Sequence, residues 1–278
     1  RAWVARQENA HPGRVTLIEN PANLGFIGSV NAGLALALKR GGHAVLVNSD
    51  AFVPQAWLSR LIAPILADPG VASVTPMSND ATIFSSPALD RQTALAPGQA
   101  DRIDALARPL DPLRATAPVP TGVGFCMALS RDFLARVPAL DPVFGRGYGE
   151  EVDWCQKVRA LGGRHLGTAA LYVEHRGGTS FGSEEKLRLV AANNEIIASR
   201  YPAYDAEVQA FLREDPLLAP RLALALAWAG AWAEEDPGRS VPVYLAHTLG
   251  GGADKYLDAR IAAGTVYRSC FRRARSHS

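Results

Sequence analysis

Short apolar, largely β-branched runs alternate with longer stretches whose apolar positions recur at helical spacing, and this alternation predicts the first half of the fold. "VTLI" (Val15 to Ile18) predicts a short strand, and "GSVNAGLALALKRGG" a helix stopped by Gly41-Gly42. "AVLV" (Ala44 to Val47) is the next strand. "VPQAWLSRLIAPILADPG" follows as a helix with Pro near its start and Pro-Gly past its end, and "VASVTP" as a third strand. Strands this short, separated by helices of this length, predict an α/β fold with a mostly parallel sheet flanked by helices.

From Ser78 to about Pro120 the periodicity dissolves into Ala, Pro, Asp and Arg, which predicts a lid, a binding loop or disorder. Order returns with "GVGFCMALS" as a strand, a helix around "RDFLARV", and a helix in "GEEVDWCQKVRALGG" with acids in its first turn and bases in its last. "AALYVEH" is a further strand, and two or three helices run from Ser183 to Glu235. After the turn "EEDPGRS", the run "VPVYLAHTLGGGADKYLDARIAAG" reads as strand, Gly-rich turn and helix, the opening of a second nucleotide-binding unit. Three regions are therefore expected: an α/β domain over 1–182, a helical extension over 183–236, and a linker with a fragment of a second α/β domain over 237–278. The chain opens on what reads as the tail of a helix, so a leading strand-helix-strand piece is expected before Arg1.

Composition narrows the function classes. The net charge of +2, from 29 basic and 27 acidic residues, makes no electrostatic case for a nucleic-acid binder. Three well-separated cysteines form no CxxC and read as reduced thiols of a cytosolic protein. The most apolar run, "LLAPRLALALAWAGAWA", is interrupted by Arg221 and falls short of the roughly 20 apolar residues a spanning helix needs.

Four stretches carry candidate chemistry. In "AVLVNSDAFVP", Asp50 follows a buried-type strand, where ligands of open α/β sheets bind, and could hold Mg²⁺ or Mn²⁺ against substrate phosphates. The competing reading is a strand-end turn in which Asn48 and Asp50 cap the next helix. In "FGRGYGEEVDWCQKVR", Glu150, Glu151 and Asp153 crowd a helix start behind a Gly-rich loop, as a general base requires; Glu150 and Asp153 share a face and Glu151 turns away. Helix-dipole favour accounts for part of that acidity. In "YVEHRGGTSF", His175 ends a strand and could face a metal or phosphate, or simply pack. In "ENPANLGFIGSVNAG", Asn and Gly enter a helix whose N-terminus favours phosphate, although they also make turns.

Taken in order, "NPANLGFIGSVNAGL", "VLVNSDAFVPQAWLSRL", "PTGVGFCMALSRDFL", "FGRGYGEEVDWCQKVRALGGR" and "VEHRGGTSF" resemble the family 2 glycosyltransferases of GT-A fold, nearest their rhamnosyltransferase-like branch, from Val15 to Phe181. The resemblance implies that Asp50 is the metal-binding acid of a DxD-type motif, with Asn48 where its first acid often stands. It implies a catalytic base at Glu151, with Glu150 and Asp153 as the other acids of that helix, and a metal- or diphosphate-holding role for His175. Thr121, Gly122, Gly124 and Trp154 would line the donor sugar and acceptor, and Asn23, Gly25, Phe26 and Asn31 the donor nucleotide. The span after Ser78 would cover acceptor or donor. The implied activity is inverting transfer of a sugar from an NDP-sugar to a hydroxyl of a saccharide or lipid-linked saccharide. Mg²⁺ or Mn²⁺ would be the cofactor, and bacterial surface-polysaccharide synthesis in the cytoplasm, peripheral to the inner face of the membrane, the setting. The family's opening strand and base-binding loop would lie before Arg1, and "HTLGGGADKYL" resembles the start of a GT-B glycosyltransferase. Two other classes stay open on the residues alone: a catalytically silent binding or scaffold module, and a nucleotidyltransferase on a related sheet.

Overall fold

The interior is organised by a short strand whose neighbouring side chains point opposite ways. In "CMAL", Cys126 and Ala128 join one apolar cluster while Met127 and Leu129 join another, so the two clusters lie on opposite faces of one sheet. This computed structural model describes residues 2–87, 89–145, 147–177, 183–235, 255, 256, 259 and 260. In chain order the elements are α1 (Ala2–Ala10), α2 (Gly25–Lys39), β1 (Ala44–Val47), β2 (Ala51–Phe52), α3 (Trp57–Ala67), β3 (Val71–Ser78), α4 (Gln99–Ala107), β4 (Thr116–Pro118) and β5 (Cys126–Leu129). They continue with α5 (Arg131–Arg136), α6 (Glu150–Ala160), β6 (Arg164–His175), α7 (Ser183–Arg200), α8 (Tyr204–Glu214) and α9 (Leu218–Glu235).

The α/β architecture, a sheet flanked by helices, is as expected; the sheet itself is mixed. Its order is β1-β5-β3-β6-β2, with β4 also on β6. β1, β3 and β6 run the same way, as alternating strands and helices dictate, but β5 enters between β1 and β3 in the opposite direction. The β3–β6 pairing is the parallel one, and the pairings of β5, β4 and β2 are antiparallel. The reason is the connection: between β3 and β5 the chain passes through α4 and then β4 on β6, so β5 is not reached from β3 by the simple strand-helix-strand crossover that gives parallel pairing.

Two expectations are corrected here. Val15–Ile18 forms no strand, and Leu17 and Ile18 are exposed. A strand needs a neighbour to take its N–H and C=O groups, and no described strand lies beside this segment. The span from Ser78 to Pro120 is not structureless: it holds a 3-10 turn at Thr82–Phe84, helix α4 and strand β4. Ile83, Phe84, Ile103 and Ala107 from this span are buried in the core. Its order comes from tertiary anchors that periodicity does not reveal. Asp104 of α4 pairs inside the protein with Arg60 of α3 at 2.9 Å and accepts the Tyr172 N–H at 3.0 Å. Arg221 of α9 is fully buried, forks onto Asp215 at 2.9 and 3.0 Å, and donates to the carbonyls of Ile83 (3.0 Å) and Ser85. The charge that interrupts the apolar run of α9 is thus the clamp on the 83–85 turn. No helix among the described residues is long and apolar enough to cross a membrane. The strand and Gly-rich turn expected in 241–253 lie outside the described residues.

His165 of β6 is a buried imidazole held by Cys155 and Ser73. Its Nε2 donates to the Cys155 carbonyl at 2.9 Å, so Nδ1 accepts from the Ser73 hydroxyl at 2.7 Å. Burial pushes its pKa down to about 4. The unfolded chain, with an ordinary histidine near 6.5, therefore takes up a proton before the folded one does. Stability should fall as pH drops from about 6.5 towards 4, by about 3 kcal/mol at the lower end, and chemical denaturation of His165→Gln should lack that dependence. Asp104→Ala leaves the Arg60 guanidinium buried without its partner, and urea titration should register a loss of about 3–5 kcal/mol.

Candidate functional site

β1 ends at Val47, and the next residues turn at the carboxyl end of the strand, where open α/β sheets present ligand-binding groups. The Asn48 N–H donates to the Phe125 carbonyl at 2.8 Å, and the Asn48 carbonyl accepts the Ala51 N–H at 3.1 Å. This closes the turn and leaves the Asp50 side chain partly exposed beside the end of β6. Helix α3 starts at Trp57 after Ala56, with no side-chain cap, so neither Asn48 nor Asp50 serves the capping role that a plain turn would have given them.

β2 pairs with β6 so that Ala51 faces His175, and the Arg176 N–H donates to the Asp50 carbonyl at 3.0 Å. This brings His175 Nε2 to 3.5 Å from Asp50 Oδ1. The imidazole is held from behind. Its Nδ1 lies 2.6 Å from the Asp80 carbonyl, which can only accept, so Nδ1 carries a proton. In the neutral ring the Nε2 lone pair then faces the Asp50 carboxylate. Asn79, buried, accepts the His175 N–H at 2.8 Å and donates to the His175 carbonyl at 2.9 Å, while Phe125 stacks on the ring at 5.0 Å between centroids. A backbone carbonyl on the far nitrogen is the arrangement that orients metal-ligating histidines. One carboxylate and one imidazole with converging lone pairs fit a hard or borderline divalent cation. Among the described residues no group of three or more His, Cys, Asp or Glu gathers to hold a metal, so the remaining ligands would have to come from substrate or water.

The second acidic centre sits at the start of α6. Gly149 precedes it at φ 118°, a conformation glycine adopts freely, and helix geometry then points Glu150 and Asp153 inward. Asp153 is taken up by structure: its carboxylate meets Lys157 at 2.6 Å, Arg200 at 2.7 Å and the Tyr201 hydroxyl at 2.7 Å. Glu150 is buried, and burial, followed by the neighbouring Glu151 charge, pushes its pKa well up. Burial also raises Glu151, but its Oε1 accepts the Gly124 N–H at 3.2 Å, which favours its ionised form. Of the pair, Glu151 is the one offered a backbone N–H, the contact that favours an ionised carboxylate.

The segment 121–125 joins the two centres. Gly124 N–H holds Glu151, and the next residue, Phe125, holds Asn48 through its carbonyl and His175 through its ring. Thr121 is buried with its hydroxyl turned to the Gly122 carbonyl at 3.0 Å. Gly122 allows the close approach of Met127, whose Cε would lie 2.6 Å from an added Cβ. Trp154 does not line the site. It is 1% exposed in the core, with its indole N–H on the Val137 carbonyl at 2.9 Å, because α6 turns that position inward. Asn31 likewise spends its amide on both backbone groups of Leu140, at 2.9 and 2.8 Å. Asn23 accepts the Gly25 N–H at 3.0 Å in a turn opening α2, and Phe26 packs partly buried against the α2–α6 cluster. Asn79 and Asp80 escaped sequence reading, since a carbonyl and an amide that orient a distant histidine leave no local periodicity.

Gly124 has no room for a side chain: a Cβ there would stand 2.5 Å from Glu151 Oε1 and 3.2 Å from its Cγ. Gly124→Ala should displace the Glu151 carboxylate and cost about 1–3 kcal/mol in a thermal or denaturant melt.

Comparison with known proteins bears on the fold. Curated protein sequences give no match. The crystal structure of GalNAc-T7 with UDP, GalNAc and Mn2+ is similar with a TM-score of 0.50 at 19% identity, over 74% of this chain and 42% of that one. The chain thus spans less than half the length of that protein. The mannosyltransferase PcManGT from Pyrobaculum calidifontis, in complex with GDP-Man and Mn2+, has a TM-score of 0.47 at 19% identity, over 96% of this chain and 68% of its own. Residues 2–137 match the family model Glycosyl transferase family 2.

Proposed function

We propose that this chain transfers a sugar from a nucleoside-diphosphate sugar to a hydroxyl of a saccharide or lipid-linked saccharide acceptor, with inversion at the anomeric carbon. The observation that carries the reading is the convergence, through 121–125, of the Asp50–His175 pair with the Glu150–Glu151 pair. The family match and the fold of GalNAc-T7 support it. The resemblance to the rhamnosyltransferase-like branch supports hexosyl or rhamnosyl transfer in bacterial surface-polysaccharide synthesis, at the cytoplasmic face of the membrane.

Asp50 and His175 would hold a divalent cation, Mg²⁺ or Mn²⁺. When bound, such an ion neutralises charge on the leaving diphosphate. Asn79 and the Asp80 carbonyl keep the imidazole edge turned to Asp50. Glu151, held by Gly124, accepts the proton of the attacking hydroxyl, and a base so placed contributes about 10²–10⁴-fold. Gly124 leaves room for the Glu151 carboxylate, and Gly122 for the Met127 side chain packed beside it.

Isothermal titration with UDP-, dTDP- and GDP-sugars, with and without Mn²⁺, tests the reading directly. Metal-dependent binding of one of them is expected, and Asp50→Ala should remove it. Glu151→Gln should retain donor binding while lowering kcat by about 10²–10⁴-fold. Because Glu151 must be ionised, and burial raises its pKa, activity should rise with pH along an acid limb above the ordinary glutamate range. Donor binding indifferent to metal and to Asp50 would remove the basis for the proposal.

A further inference from the structure

The loop that delivers Glu150 and Glu151 is rich in left-handed backbone. Gly145, Gly147, Tyr148 and Gly149 all have positive φ, at 64°, 130°, 71° and 118°. For an aromatic residue such as Tyr148 this conformation is strained and persists when its surroundings impose it. Among the described residues the backbone bonds here are short-range: Phe144 N–H to the Asp141 carbonyl at 3.4 Å, Gly145 N–H to the Pro142 carbonyl at 3.0 Å, Gly147 N–H to the Phe144 carbonyl at 3.3 Å and Asp153 N–H to the Gly149 carbonyl at 2.9 Å. Further restraint comes from α7, outside the residues that match the family model.

Asn193, Ile197, Arg200 and Tyr201 stand at i, i+4, i+7 and i+8, one face of that helix. Asn193 is buried, and its Nδ2 donates to the carbonyls of Phe144 at 3.0 Å and Gly147 at 2.7 Å, bracketing the loop. Ile197 lies against Gly149, its Cγ1 3.5 Å from where a Cβ would be. The Arg200 guanidinium sits 5.5 Å from the Phe144 ring centre and reaches Asp141 at 2.9 Å and Asp153 at 2.7 Å. Tyr201 closes on the same Asp153 at 2.7 Å. One helix face therefore touches the entrance, middle and exit of the loop and the first turn of α6. Glu150 and Glu151 stand between the last two of these contacts. On the opposite side Glu151 has the Gly124 N–H.

We propose that α7 is the positioning element of the reacting carboxylate, with Asn193 as the positioning residue that fixes the 144–149 loop; this rests on the transferase reading above. Asn193 touches no reacting atom. It acts through the loop, and losing its two donated bonds lets the Glu150–Glu151 pair drift from the acceptor without altering the Asp50–His175 pair.

The test compares the full chain with Asn193→Ala, Asn193→Asp and, as a control of general destabilisation, Leu134→Ala, which empties a core position of the same cluster on α5. Amide hydrogen exchange over 145–151 should quicken about tenfold in both Asn193 variants and stay near wild type in Leu134→Ala. With the Mn²⁺-loaded protein and the donor found by titration, kcat should fall about 10- to 100-fold in the Asn193 variants with donor KM and Mn²⁺ affinity within twofold. Wild-type exchange and kcat in Asn193→Ala, or equal effects from Leu134→Ala, would overturn the positioning role and leave the transferase reading intact. If the wild type neither binds nor turns over any nucleotide sugar while Asn193 still governs loop exchange, the transferase reading falls and takes the catalytic purpose of α7 with it.

Discussion

Everything near the site depends on five residues of backbone entering β5. The Gly122 N–H lies 3.3 Å from the Cys155 sulfur of α6, the Val123 N–H 3.3 Å from the Thr75 hydroxyl of β3, and the Gly124 N–H 3.2 Å from Glu151. The Phe125 carbonyl takes the Asn48 N–H after β1, and its ring covers His175 at the end of β6. A buried backbone donor without a partner is costly, so each of these bonds constrains both of its ends. The segment is thereby a ruler: it sets where two carboxylates and an imidazole from three separate parts of the chain stand relative to one another.

Polar groups inside the protein follow the same logic on a larger scale. Arg60 with Asp104, Arg221 with Asp215, and His165 between Ser73 and Cys155 are each buried and each satisfied. Buried ion pairs add little net stability over apolar packing, but they tolerate one geometry only. Here that geometry ties the 79–118 excursion and α9 to the sheet, and so determines where Asn79 and Asp80 reach His175. The acids of α6 divide in the same way: Asp153 is consumed by α7 and Lys157, and Glu151 is left to face Gly124.

The α/β class, β1, β3, β5, α6 and the carboxyl-end location of Asp50 were legible because they rest on local rules: apolar periodicity, glycine stops and charge bias along helices. Those rules act over a few residues and read out directly. They failed at Val15–Ile18, where a strand-like composition has no described neighbour to pair with. They failed again in 78–120, where short apolar runs are ordered by partners 44 to 138 residues away. Trp154 shows a third failure. Its place in a motif said nothing about which way α6 would turn it, and α6 turns it into the core.

What the sequence determined alone was the inventory and much of the local form: the strongly periodic strands and helices, where glycine bends the chain, and which acids and histidines are available. What the tertiary structure decided was their company. β5 runs against its neighbours because the long excursion brings the chain back from the other end, and β2 meets β6 so that Asp50 reaches His175. Asn193 reaches a loop 46 residues earlier in the chain through two hydrogen bonds. Contacts of that span arise from closing a packed core around buried polar groups, a global condition that no window of sequence contains.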